Sequence, residues 1–184
     1  MEAAKRFTRI ERPENNPELT GLYSEIVESG LGDSVPLNWY TSQAERPDIL
    51  AATWRLTQGV LLQGQLPPTI KQMILVKVST YNQCRYCSSL HTNALEAMGV
   101  PKEVIDSVTS DLDLAQVPPP QRAILEFAMK VAREPKLVND EDFERLHELG
   151  LSESETMEVV MMGAFANFIN TWADVSGIPI EGEE

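Results

Sequence analysis

Leu66-Pro67-Pro68-Thr69-Ile70-Lys71-Gln72-Met73-Ile74-Leu75-Val76-Lys77-Val78 leads through Ser79-Thr80-Tyr81 into Asn82-Gln83-Cys84-Arg85-Tyr86-Cys87-Ser88-Ser89-Leu90-His91. Proline suits a first helical turn, where its missing N–H is no loss, so a helix is predicted to start at Pro67-Pro68. Ile70, Met73, Ile74, Leu75, Val76 and Val78 make that helix apolar nearly all round, which predicts a central position. Thr80-Tyr81-Asn82 interrupts it, and Asn82 is the expected N-cap of a second helix. The second helix runs to about Met98 and stops at Gly99, a good C′ residue, before Val100-Pro101.

Outward from this pair the pattern stays helical. Val, Ile and Thr never alternate with polar residues over a convincing strand, and apolar residues recur at three and four. Residues 1–16 read as irregular, with Pro13 and the turn signal Asn15-Asn16-Pro17. A first helix is expected from Pro17 to Ser29, a short one after Pro36, and a longer one from Pro47 to Leu62 that ends at Gly64. Further helices are expected near 101–109, 121–133, 140–149 and 153–175. Ser152-Glu153-Ser154-Glu155 has the capping-box pattern at the start of the last. The fold class is therefore all-α, in a single domain.

The chain has 184 residues and a net charge of −13. That balance argues against binding nucleic acid, which needs clustered Lys and Arg, and against anionic membrane surfaces. No apolar run approaches the roughly 18 residues of a membrane span, and the N-terminus lacks a secretory signal pattern. A cytoplasmic location is expected, where thiols stay reduced and a C-x-x-C pair is catalytic or metal-binding rather than a structural staple.

Cys84 and Cys87 are the two cysteines of the chain, and His91 is one of two histidines. On a helix the three would fall within about 60° of one another, on one face. Cys84, about a turn from the helix start, would feel the macrodipole, and Cys87 stands one turn before His91, close enough to share a proton. In such a pair one thiol attacks a substrate and the other resolves the product as a disulfide. Helical i,i+3 Cβ atoms are roughly 5–6 Å apart, wider than a disulfide needs, so closing it should tighten the first turn. Two plainer readings stand beside this one. The pair could be half of a zinc site, although His147 is the one further Cys or His. Or the cysteines could be inert core residues.

These residues resemble the AhpD-like branch of the carboxymuconolactone decarboxylase superfamily, whose pattern is Leu-Pro opening an apolar helix, then Asn-x-Cys-x-x-Cys-x-x-x-His. The likeness is specific over about residues 45–105. Ala164-Phe165-Ala166-Asn167-Phe168-Ile169-Asn170-Thr171-Trp172-Ala173-Asp174 also resembles the closing helix of the peroxidase-related members. The resemblance implies a bundle of helical hairpins over 41–184, with 1–40 as an N-terminal helical extension, assembled as a dimer, trimer or hexamer. It implies a hydroperoxide substrate and an external dithiol reductant, with no metal or organic cofactor. Cys87 would attack the peroxide, Cys84 would resolve the sulfenic acid, and His91 would relay the proton. Two positions depart from the pattern. Gln72 stands where the family has its relay carboxylate, and Gln cannot accept a proton. Tyr86 stands where alkylhydroperoxidase D has a second His. Glu96, Glu155 and Glu158 are the alternative sources of a base.

The rivals are a decarboxylase-like lyase, which has no evident need for C-x-x-C, and a non-catalytic redox sensor whose disulfide switches an oligomer contact. Met157, Met161 and Met162 read as a core stripe, Trp54 and Trp172 as core or interface, and His147 as a solvated helix residue. The tail Glu181 to Glu184 reads as solvated surface or a frayed end.

Overall fold

The computed structural model describes residues 6–14 and 16–183. Met1 to Lys5, Asn15 of the expected turn, and Glu184 lie outside them. Among the described residues there are nine α-helices and no strand. They are α1 (Pro17–Glu28), α2 (Asn38–Thr41), α3 (Pro47–Thr57), α4 (Pro68–Tyr81), α5 (Arg85–Ala97), α6 (Lys102–Ser110), α7 (Pro119–Arg133), α8 (Asp140–Glu148) and α9 (Glu153–Ser176). No helix is long and apolar enough to cross a membrane among the described residues.

α4 is the hub, as its all-round apolar surface predicts. It packs against α5, α6, α7 and α9. Every residue from Ile70 to Val76 is buried, with Val78 and Ser79. α9 crosses α7 closely enough that a Cβ at Gly163 would lie 2.8 Å from the Ala128 carbonyl oxygen, so only glycine permits this approach. α1 adds Leu19, Tyr23 and Ile26 to the same core.

One buried residue in the hub is charged. Lys71 Nζ donates to the Val60 carbonyl at 2.9 Å and to the Gln63 carbonyl, and pairs with Glu158 Oε2 at 3.1 Å. Glu158 in turn accepts from the backbone N–H groups of Gln65 and Leu66 at 2.6 and 3.1 Å. A fully bonded ion pair of this kind avoids the penalty of an unpaired buried charge. It also accounts for Gly64, which takes φ +106 and where a Cβ would collide with the Glu158 carboxylate.

The structure corrects three local expectations. The helix expected over 47–62 is α-helical only to Thr57 and then widens into a π-turn, Gln58–Leu62; Lys71 binds the Val60 carbonyl within it and the Gln63 carbonyl just after it. Of the methionine stripe, Met162 is fully buried while Met157 and Met161 are 62% and 42% exposed. Residues 157 and 161 share a face, and position 162 is turned about 100° from 161. Asn82 does not cap α5. It is the C-cap of α4, Gln83 follows in the left-handed region at φ +59, and Cys84 is the N-cap of α5.

This tight turn is a Schellman motif, with Cys84 N–H bonded to the Ser79 carbonyl and Gln83 N–H to the Thr80 carbonyl. Asn82 Nδ2 instead donates to Asn167 Oδ1 and Asn170 Oδ1, both at 2.9 Å, which fastens the turn to α9. The left-handed non-glycine residue carries a modest backbone cost, and the asparagine cluster holds it in place.

Candidate active site

Cys84 and Cys87 are both buried and both free thiols. Cys84 has the extended dihedrals φ −75, ψ 99 of an N-cap, so it precedes the helical turns that carry Cys87 and His91. The expectation that a disulfide must tighten the first turn rested on two helical positions and does not apply. Cys87 occupies the third helical position, among the first-turn N–H groups that lack intrahelical partners. The Cys84 thiol is pushed far up, first by its hydrogen bond to Cys87 and then by burial. The negative charge of Asp174 on α9 acts in the same direction.

The two thiols face different surroundings. Cys87 lines a cavity of about 310 Å³ between α2, the π-turn, α5 and α9, together with Gln72, Tyr86 and His91. Cys84 is not among its lining residues and stands behind Cys87. A wider hollow of about 570 Å³ lies between residues 11–14 and α1, but no cysteine or histidine lines it and its carboxylates Glu11, Glu14 and Glu28 face solvent. The chemistry therefore belongs to the cavity beside Cys87.

Gln72 and His91 meet directly. His91 Nδ1 lies 2.8 Å from Gln72 Oε1. With the amide oxygen accepting, Nδ1 carries the proton and Nε2 presents a lone pair. Burial lowers the His91 pKa from 6.5 to about 4, so the imidazole is neutral at physiological pH. None of the alternative carboxylates reaches it. Glu96 is exposed, Glu155 closes the capping box with Ser152, and Glu158 is committed to Lys71 and the backbone of Gln65 and Leu66.

Tyr86 is committed elsewhere. Its hydroxyl donates to Glu181 Oε1 at 2.6 Å and accepts from the Trp39 backbone N–H at 3.2 Å. Burial, then the Glu181 charge, hold the phenol well above its usual pKa. It stays protonated and its proton is already given to a carboxylate. Glu181 also accepts from the Asn38 N–H at 2.7 Å, the first free donor of α2. The tail was expected to be solvated or frayed at this residue. Instead Glu181 joins the C-terminal segment, α2 and the residue between the two cysteines. No local pattern announces it, since Tyr86 and Glu181 are 95 positions apart.

Replacing Glu181 by alanine is expected to lower stability by about 1 kcal/mol and to speed amide hydrogen exchange at Asn38 and Trp39. Glutamine, which keeps an acceptor oxygen, should restore most of both. Exchange rates unchanged in the alanine variant would show that the tail does not hold α2.

Trp54 is buried with its Nε1–H on Glu25 at 3.0 Å, and Trp172 donates to Ser42 Oγ at 2.9 Å, so both are structural. His147 is exposed on α8. Among the described residues no group of three or more His, Cys, Asp or Glu comes together as a metal cluster.

An all-helical hub helix followed by a buried N-cap dithiol and a neutral imidazole defines a class of thiol-bearing helical proteins. The carboxymuconolactone decarboxylase family model matches residues 47–128. The peroxidase-related protein with an alkylhydroperoxidase AhpD core from Ralstonia eutropha JMP134 is 29% identical, with a TM-score of 0.81 over 96% of this chain and 95% of that one. The chain is thus similar to the carboxymuconolactone decarboxylase family over residues 47–128 and to that AhpD-core protein over nearly its whole length. A peroxidase-related protein from Silicibacter sp. TM1040 shares the fold at 22% identity, with a TM-score of 0.83 over 97% of this chain and 94% of that one. The debrominase Bmp8, in a cysteine variant complexed with 2,3,4-tribromopyrrole, shares it at 21% identity and a TM-score of 0.81, over 99% and 95% of the two chains. The protein YdfG of Bacillus subtilis (strain 168) is 27% identical over 115 residues, 62% of this chain and 76% of that one. The family includes enzymes, and the likeness points to its peroxidase-related members.

Proposed function

We propose that this protein is a thiol-dependent reductase of organic hydroperoxides. The observation that carries the reading is the asymmetry of the dithiol. Cys87 opens on a cavity that it shares with an imidazole lone pair, and Cys84 does not line that cavity.

In this reading Cys87 gives its proton to His91 Nε2 and its sulfur attacks the distal peroxide oxygen. An S–O bond forms, the O–O bond breaks, and the alkoxide leaves as the alcohol after taking the proton back from His91. Cys84 sulfur then displaces hydroxide from the sulfenic acid, with its own proton leaving in the water, and the disulfide forms. An external dithiol returns the pair to two thiols by exchange. Peroxide is reduced by two electrons and the dithiol is oxidised by two. A cytoplasmic setting, in which thiols are kept reduced, suits this cycle. Assembly as a homo-oligomer belongs to the same reading, and Met157 and Met161 on α9 are exposed apolar surface available for it.

The lyase alternative is less well supported. A decarboxylase substrate carries a carboxylate, and no Lys or Arg lines the cavity.

The test is a count of free thiols before and after one equivalent of cumene hydroperoxide, with mass spectrometry of the wild type and of Cys84→Ser. Loss of both thiols in the wild type and a trapped sulfenic acid on Cys87 in the variant are expected. Two thiols that stay free and unmodified would remove the reading.

A further inference from the structure

His91 Nε2 is buried and meets no hydrogen-bond partner among the described residues. It belongs to a side chain that is 5% exposed and that lines the cavity beside Cys87. An acceptor left unpaired in such a place weakens the folded state relative to a paired one, and any ligand that brings a donor recovers the difference.

Most of the other polar groups at the wall are already engaged within the protein, the amide NH2 groups of Gln72 and Asn93 excepted. Tyr86 hydroxyl is held between Glu181 and the Trp39 N–H. Trp39 Nε1–H donates to the Ile169 carbonyl at 3.1 Å, and Thr57 Oγ1 to the Thr53 carbonyl at 3.0 Å. Gln72 Oε1 is taken by His91 Nδ1. The remaining wall is apolar and partly aromatic, with Leu31, Leu37, Leu61 and Phe165 beside Trp39 and Tyr40. A volume of about 310 Å³ is at the small end for ligand sites and suits a single ring with a short substituent.

Charge narrows the choice. No cation lines the cavity, the imidazole is neutral, and the carboxylate of Glu181 sits directly behind Tyr86. An anionic ligand would lose its hydration without gaining a counter-charge.

We propose that this cavity selects an uncharged, ring-sized apolar ligand that donates one hydrogen bond to His91 Nε2. The inference rests on the hydroperoxide reading and narrows it. The –OOH group of an aryl-alkyl hydroperoxide is such a donor as it enters, before Nε2 takes the Cys87 proton, and so is the hydroxyl of its alcohol product once that proton has been returned. A fatty-acid hydroperoxide with a free carboxylate is excluded, and hydrogen peroxide leaves the apolar wall uncovered.

The experiment uses binding rather than turnover. In full-length Cys87→Ala protein, α-methylbenzyl alcohol, acetophenone and benzoate are titrated by calorimetry. The alcohol and the ketone share one carbon skeleton and differ in whether they donate or only accept. The alcohol is expected to bind about tenfold tighter than the ketone, and benzoate more weakly than either. In the same protein, imidazole ¹⁵N spectra should show the Nε2 resonance of the buried histidine moving upfield with the alcohol and not with the ketone. The chain has only two histidines, and the other is exposed. Equal affinities for alcohol and ketone, an unmoved Nε2 resonance, or tightest binding by benzoate would each overturn the proposal. The two readings fail separately. A donor preference in a protein whose thiols ignore hydroperoxides leaves this inference standing and removes the peroxidase. Rapid thiol oxidation without a donor preference does the reverse.

Discussion

Cys87→Ser is expected to lose hydroperoxide turnover by roughly a thousandfold or more, because the hydroxyl is not ionised at neutral pH and is a far weaker nucleophile than a thiol. Cys84→Ser should behave differently. The attacking sulfur and its imidazole remain in the cavity, so one equivalent of hydroperoxide should still be consumed in a burst. The sulfenic acid then lacks an internal partner, and steady-state turnover with an external dithiol should fall by at least about tenfold. Stopped-flow measurement of peroxide loss separates the two phases. The opposite pattern, a burst in Cys87→Ser and none in Cys84→Ser, would reverse the assignment of the thiols that their surroundings suggest. A burst in neither variant would point to cooperative action of both sulfurs in the first step.

The second large effect concerns the partner of the imidazole. In the native chain Gln72 fixes the tautomer of His91 but adds no charge, and burial leaves the histidine pKa at about 4. Gln72→Glu would set a carboxylate against Nδ1–H and raise that pKa, since an opposite charge within hydrogen-bond distance favours the imidazolium. Nε2 becomes the stronger base. Sulfenic acid formation at pH 7 should speed up by about 10- to 100-fold, within the range usual for a positioned general base.

Stability should change with it, and the sign is definite. In the native chain the folded pKa lies below the unfolded value of 6.5. Between pH 6.5 and 4 the unfolded state therefore binds more protons, so stability falls as pH falls through that window. The loss attributable to His91 should approach about 3 kcal/mol below pH 4. In Gln72→Glu the folded histidine pKa rises and this acid loss should shrink by at least half. Urea midpoints taken from pH 7 to pH 4 measure it. A variant that reacts no faster and keeps the same acid loss would show that His91 does not accept the proton.

Helix content could be read in the chain because it is local. Six apolar residues between Ile70 and Val78 with no strand alternation fix a buried helix whatever it packs against, and α4 is such a helix. The Ser152 capping box was equally legible, since its partners are three residues apart. Asn82 shows where local reasoning stops. An asparagine before a helix is a good N-cap by itself, but here Asn82 ends α4 as its C-cap, its amide NH2 is held by two asparagines of α9, and the N-cap position falls to Cys84. The methionines failed for a related reason. Spacing states which residues share a face, and it does not state whether another helix covers that face.

The candidate site divides in the same way. The sequence by itself determined that two thiols and an imidazole lie within eight residues on one turn and the helix after it, because backbone geometry over so short a span leaves little choice. It also determined that Gln72 brings no charge. Which thiol faces the cavity, which imidazole nitrogen is free, and that Glu181 holds Tyr86 were decided by the tertiary structure alone. Each depends on a contact between segments 19 to 95 residues apart. Such contacts come from how whole helices pack, and side-chain periodicity carries no record of them.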